Sequence, residues 1–338
     1  MKIQNLLQEA VKSYEEMKYD DTVLYLETVL EIDKNNYEAL ILLTRVYTGS
    51  GLFKEALQYC ERIYKNYPED SLVLFNMGYI NQSLGKPKKA IFYYDKYLKY
   101  EEDYHVLLNI GLSYMDMKYY KKAMSVIEKA IKMEPENSDG YLDKAECFTK
   151  QGKYDEAIKI YEERLKNPEN NIEEYYIYTK IADVKERAGD IEEALKNYNI
   201  AINCENVDEL VYEAFYEFLL RADRKDEIEL MLINYANSPI PRERSLNLEG
   251  RYAAYIEDFE RARKVCEKLL ILNPDNPLHY FNSAYIWEML KDFDKALDFI
   301  KKVEKKVDDK ELIKNARKRI MKSRREYMKS LNKAENKR

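Results

Sequence analysis

Nowhere does this sequence stay apolar for the eighteen or so residues that a membrane-crossing helix requires; its apolar runs, such as Ala39 to Leu43 and Leu269 to Leu272, are short. Gly and Pro together fill only 17 of 338 positions, too few for a turn-dense β-protein. Cysteine is equally sparse. Cys60, Cys147, Cys204 and Cys266 are separated by 87, 57 and 62 residues, so no CxxC pair exists for zinc or for redox work, and reduced, buried thiols in a cytoplasmic protein are expected. The first residues, MKIQNLLQEAVKSYEEMKY, place Gln, Glu and Lys where an export leader needs an unbroken apolar stretch, so export is not expected. Histidine occurs twice, at His105 and His279, with no HExxH and no Cys-His neighbourhood. No catalytic residue, metal site or cofactor is expected.

What the chain has in quantity is charge: 35% of its residues are Asp, Glu, Lys or Arg, the balance of a helix-rich chain. The net value of −6 hides an asymmetry, because residues 311–338 hold 11 basic against 3 acidic residues, which leaves −14 on residues 1–310. The body is acidic and the tail basic.

The segment TGSGLFKEAL at 48–57 could be read as a phosphate-cradling loop before a helix. A Walker loop needs GxxxxGK followed by Ser or Thr, and Gly49 and Gly51 lead instead into Leu-Phe-Lys-Glu. GLFKEAL also recurs. MKYDDTV (17–23), GKPKKAI (85–91), KYYKKAM (118–124), GKYDEAI (152–158), GDIEEAL (189–195), a worn DRKDEIE (223–229), EDFERAR (257–263) and KDFDKAL (291–297) share its pattern. Their sixth residues, Thr22, Ala56, Ala90, Ala123, Ala157, Ala194, Ile228, Ala262 and Ala296, lie 34, 34, 33, 34, 37, 34, 34 and 34 residues apart, the period of helix-turn-helix repeats.

Residues 37–70 show how one copy works. Leu40, Leu43, Thr44 and Tyr47 form an i, i+3, i+4, i+7 stripe along a first helix, and Ala56, Cys60 and Ile63 form one along a second. Between them a glycine can take φ > 0 and close the first helix. Pro68-Glu-Asp-Ser then supplies a stop and N-cap candidates, as do EPENS (134–138), NPENN (167–171) and NPDNP (273–277). Twelve residues before the second-helix Ala stands a small residue in most copies: Ala10, Thr44, Gly78, Gly111, Ala145, Ala182, Gly250 and Ala284. Small side chains let two helices approach closely. The seventh copy, with Tyr216 and Ile228, is the irregular one.

The small residue, the turn Gly, the Ala and the closing Pro-Glu-Asn together resemble the tetratricopeptide repeat, over about residues 3–310. The resemblance implies an all-α fold: a right-handed α-solenoid of about nine helical hairpins, with repeats near 3–36, 37–70, 71–103, 104–137, 138–171, 175–208, 209–242, 243–276 and 277–310. A basic C-terminal helix or tail (311–338) would cap the last repeat. Its stripe is thin, with Ile313, Ala316, Ile320, Tyr327 and Leu331, and Asp308 and Glu311 are spaced as a capping box.

The family further implies a non-enzymatic scaffold whose first helices line a concave groove for a partner protein or peptide. Groove positions two, five, nine and twelve in the second to fourth repeats are Ile41, Arg45, Leu72, Phe75, Tyr79, Gln82, His105, Leu108, Leu112 and Met115. Phe75, Tyr79, Leu108 and Met115 are expected to seat an apolar partner face, unless they only pack neighbouring first helices. The next two repeats present Asp139, Leu142, Glu146, Tyr176, Thr179, Asp183 and Glu186, an acidic continuation. Some members grip a terminal carboxylate with Lys at the fifth position and Asn at the ninth; Ile41, Phe75, Arg45 and Tyr79 stand there instead, which argues against that ligand class. The tyrosine row Tyr93, Tyr94, Tyr97, Tyr100 and Tyr104 is expected to be packing. The alternative reading is a nucleic-acid-associated or regulatory protein, with nucleic acid engaged only through the basic tail.

Overall fold

Each hairpin begins from local chemistry that the punctuation supplies. The computed structural model describes residues 2–166, 173–307 and 309–335; the expected stop at 167–171 and the Asp308 arm of the expected capping box lie outside the described residues. Asn36, Asp70 and Asp103 cap the helices that follow them by accepting from the backbone N–H of Ala39, Val73 and Val106. At the tail helix, Asp309 accepts from Leu312 N–H at 2.9 Å.

The chain divides into two compact units, Met1–Ala194 and Leu195–Arg338. The first contains α1 (Lys2–Glu15), α2 (Tyr19–Ile32), α3 (Tyr37–Gly49), α4 (Phe53–Asn66), α5 (Ser71–Ser83), α6 (Pro87–Tyr97), α7 (Tyr104–Asp116), α8 (Tyr120–Met133), α9 (Asp139–Lys150), α10 (Tyr154–Leu165) and α11 (Glu174–Arg187). The next helix, α12 (Ile191–Ala201), runs across the division. The second unit continues with α13 (Glu209–Arg221), α14 (Lys225–Asn237), α15 (Arg242–Tyr255), α16 (Phe259–Leu272), α17 (Pro277–Met289), α18 (Phe293–Val303) and α19 (Lys310–Glu335). No strand occurs among the described residues. The fold is an all-α solenoid.

Within the first unit, α1 packs on α2, α3 on α4, α5 on α6, α7 on α8 and α9 on α10, and each second helix packs on the first helix of the next hairpin. First helices also meet one another, α1 with α3, α5 with α7 and α7 with α9. In the second unit α13 pairs with α14, α15 with α16 and α17 with α18, and α19 closes on α18. A lone hairpin cannot bury its apolar face, so stacking supplies the core. The period-marking residues Ala56, Ala90, Ala123, Ala157, Ala194, Ile228 and Ala296 are all fully buried.

The nine turns share one geometry. Met17, Gly51, Gly85, Lys118, Gly152, Gly189, Asp223, Glu257 and Lys291 all have φ between +54° and +84°, and each is the first residue of its recurring segment. The following N–H reaches back five residues, as from Lys18 to Ser13, Leu52 to Tyr47 and Asp292 to Trp287, at 2.8, 2.8 and 3.0 Å. This left-handed closure satisfies carbonyls that the helix end leaves open. Glycine is the legible part of the signal, at four of these positions; Met, Lys, Asp and Glu hold the same φ at the other five.

Close approach follows the small residues with one correction. A Cβ on Gly78 would lie 2.4 Å from Tyr94 Cε1, and one on Gly111 would lie 2.7 Å from Ile127 Cγ1. The side chain that needs the space stands one turn beyond the Ala of the second helix. Tyr216 and Ile228 fit because the seventh hairpin packs differently: Tyr212 stacks on Tyr235 with centroids 4.1 Å apart, and Tyr216 meets Tyr252 edge-on at 6.4 Å.

The tail helix begins as a docked element. Ile313 and Ile320 are buried against Ala284, Phe293, Ala296, Ile300 and Val303, with Ala316 and Tyr327 beside them.

Candidate functional site

Amphipathic first helices turn one stripe inward, so the residues flanking that stripe decide what the face offers a ligand. On α3, Ile41 is half-buried and Arg45 exposed. On α5, Leu72 and Tyr79 are 42% and 40% exposed, with half-buried Phe75 between them. These three stand at i, i+3 and i+7, one face of a helix. Phe75 rests against the rings of Tyr94 and Tyr97 at 6.2 and 6.3 Å, and Tyr79 meets Phe53 edge-on at 6.3 Å. Gln82 is fixed, its Oε1 accepting from Tyr94 O–H at 3.0 Å.

On α7 the expectation needs correcting. His105 is exposed and Leu112 half-buried, but Leu108 and Met115 are 6% and 2% exposed and belong to a core cluster with Tyr104, Ile127 and Cys147. They pack α7 into its neighbours, which is the packing alternative to an open ligand seat. The tyrosine row is mostly packing as expected: Tyr94, Tyr97 and Tyr104 are buried, Tyr93 is half-buried, and Tyr100 alone of the row is exposed.

The acidic continuation is partly answered from within. Glu146 pairs with Lys150 at 3.5 Å and Asp183 with Arg187 at 3.0 Å, each one turn along its own helix. Asp139 and Tyr176 are exposed. Asp143, one turn from both Asp139 and Glu146, has its carboxyl pushed up to about 7, first by burial and then by those two carboxylates.

The second unit holds a cleft that the sequence reading missed. About 420 Å³ opens between α13, α15, α16 and α17, floored by Gly250, Val265, Cys266, Leu269 and Ile286. Leu220, Asn247, Arg251 and Tyr285 line its sides. Arg251 is held by Glu213 and Glu217 at 2.6 and 2.7 Å and lies 5.2 Å from the Tyr216 ring centroid. The position rule that selects Ile41 and Phe75 also selects Leu220, Asn247, Arg251 and Tyr285 in the seventh to ninth repeats. Among the described residues no cluster of His, Cys, Asp or Glu could hold a metal ion, and no helix is long and apolar enough to cross a membrane.

Comparison with known proteins matches this geometry. Tetratricopeptide-repeat family profiles match residues 13–74 and 247–310, and a profile for subunit 3 of the anaphase-promoting complex, or cyclosome, matches 83–164 and 116–204. A tetratricopeptide repeat protein from Parabacteroides merdae superposes with a TM-score of 0.60 at 17% identity, over 73% of this chain and 97% of that one. PilW, a type IV pilus biogenesis factor, superposes with a TM-score of 0.51 at 14% identity, over 68% of this chain and 98% of its own. At such identities the likeness is one of fold. No curated protein matches the sequence significantly.

Proposed function

We propose, from the premise that this chain belongs to the tetratricopeptide-repeat family, that it is a non-enzymatic scaffold holding a segment of a partner protein against its first helices. The observation that carries the reading is the row on α5, where Leu72 and Tyr79, 42% and 40% exposed, stand two turns apart on one face. Large apolar side chains left open in register are what a partner's apolar face covers. Ile41, Phe75 and Leu112 extend that surface, and Arg45, Gln82 and His105 supply its polar rim. The cleft of the second unit gives the same ligand class a further seat, with an apolar floor and polar sides. Free thiols at Cys60, Cys147 and Cys266, all buried, support a reducing, cytoplasmic setting.

The test is retention of proteins from a whole-cell extract on the full chain and on Leu72→Ser/Tyr79→Ser, with circular dichroism confirming that both are folded. Proteins held by the wild type should fall at least about tenfold on the variant, since burying each side chain is worth about 1.5–3 kcal/mol. Equal retention by both folded proteins overturns the assignment.

A further inference from the structure

The tail helix α19 uses one face to dock and leaves another open. Its inner face carries Ile313, Ala316, Ile320 and Tyr327 into the core of the last hairpin. Three of its arginines serve the same attachment: Arg317 pairs with Glu304 at 2.5 Å, Arg319 with Glu288 at 3.1 Å and Arg324 with Asp294 at 2.9 Å. Apart from Lys310 in the first turn, the remaining cations lie on another face. Lys314, Lys318, Arg325, Lys329 and Lys333 are exposed and make no ion pair among the described residues, while Lys322 reaches only Glu326, at 3.9 Å. At 100° per residue these six lie within a sector of roughly 100°, opposite the docked face, along about 28 Å of helix. Met321 and Met328, 38% and 51% exposed, run along one edge of that sector.

We propose that this outer face of α19 is a docking strip for an acidic amphipathic helix of a partner protein, whose carboxylates meet the cations and whose apolar residues cover the two methionines. The sign of the strip sets the sign of the partner. A second copy presenting the same face is excluded by like-charge repulsion. A membrane is disfavoured because the apolar side of the helix, which would have to sink into lipid, is already packed on α18. Single-stranded nucleic acid stacks its bases on exposed aromatic rings, and the aromatic residue of this helix, Tyr327, lies against Phe293 at 5.8 Å. A phosphate chain would also leave the methionines uncovered. Soft, unbranched methionines adapt to apolar side chains of another protein, and cations one turn apart match glutamates one turn apart on a facing helix.

The strip shares no residue with the α5 row, so the two assignments fail independently. The experiment uses the full chain and three labelled probes: a synthetic acidic helix with Glu at four-residue spacing and Leu on the adjoining face, a 20-nucleotide oligouridylate, and vesicles containing phosphatidylserine. Two variants touch only the outer face, Lys318→Glu/Arg325→Glu/Lys329→Glu and Met321→Ser/Met328→Ser. The proposal expects the acidic helix to bind tightest, the charge-reversal variant to weaken it about tenfold or more, and the methionine variant to weaken it about threefold or more. Leu72→Ser/Tyr79→Ser should bind it like the wild type. Tighter binding of oligouridylate or vesicles overturns the proposal, as does indifference to the methionine variant, which would reduce the strip to a general polyanion surface. Absence of binding to every probe overturns it also.

Discussion

Arg319 Nε lies 3.1 Å from Glu288 Oε2, and Ser323 Oγ donates to the other oxygen of the same carboxylate at 2.6 Å. Glu288 is 2% exposed, so a buried charge on α17 is satisfied by two residues one turn apart on α19.

Removing one of those partners should loosen the tail helix. Arg319→Ala leaves Glu288 with Ser323 alone and removes the guanidinium stacked near the Tyr285 ring, at a cost of about 1–3 kcal/mol. Hydrogen exchange at amides 313–331 should then quicken by about tenfold or more, while amides in α1–α10 keep their rates. Unchanged exchange in α19 would mean that Ile313 and Ile320 hold it without the carboxylate.

The packing at Gly78 makes a sharper demand. An added Cβ would sit 2.4 Å from the Tyr94 ring, and that ring is fully buried with its hydroxyl bound to Gln82. Gly78→Ala should cost about 1–3 kcal/mol through overpacking. Gly49→Ala meets nothing within 4 Å and should be neutral or stabilising by up to about 1 kcal/mol, because alanine suits the end of α3 better than glycine does. Urea denaturation should show a lower midpoint for Gly78→Ala and an unchanged or higher one for Gly49→Ala; equal losses would show that the close approach at Gly78 is not what sets its cost.

These contrasts show which parts of the protein the sequence made legible. The period and the turn segment repeat nine times and the small residue eight, so each is read against its equivalents in other copies, and Thr22 or Ile228 can stand in a slot that composition alone would not reveal. Accessibility does not repeat in that way. Leu108 and Phe75 are equivalent by register, yet Leu108 is buried where α7 meets both α8 and α9, and Phe75 stays half-open on α5. Register says which side of a helix a residue occupies; how near the next first helix comes depends on side chains one repeat away. The cleft beside Arg251 escaped for a different reason, since its signal was present at the same positions in later repeats.

The turn residues offer a stabilising change. Lys291 holds φ at +64°, a conformation that costs an L-residue about 1–2 kcal/mol and glycine almost nothing. Lys291→Gly gives back part of that gain by loosening the unfolded chain, so the net should be a stabilisation of roughly 0.5–1 kcal/mol. Glu257→Gly, at +59°, should behave alike. Thermal unfolding that shows a lower melting temperature for either variant would mean that the native side chain makes contacts worth more than the strain.

Asp143 supplies a pH dependence with a defined sign. Its carboxyl is raised from 3.8 to about 7, chiefly by burial, with Asp139 and Glu146 adding to it. The folded state therefore holds a proton that the unfolded state releases near pH 4. Between about pH 4 and 7 the native chain binds more protons, so this group makes stability fall as pH rises through that window. A rise from 3.8 to about 7 corresponds to roughly 4 kcal/mol at most, and partial solvent access brings the expected loss to about 2–3 kcal/mol. Asp143→Asn keeps the shape and removes the titration. At pH 8 it should unfold at a higher urea concentration than the wild type, and at pH 5, where the unfolded carboxyl is already ionised and the folded one is not, the gap should narrow to about a third of that. A gap that stays constant between the two pH values would show that the carboxyl is ionised in the folded chain throughout.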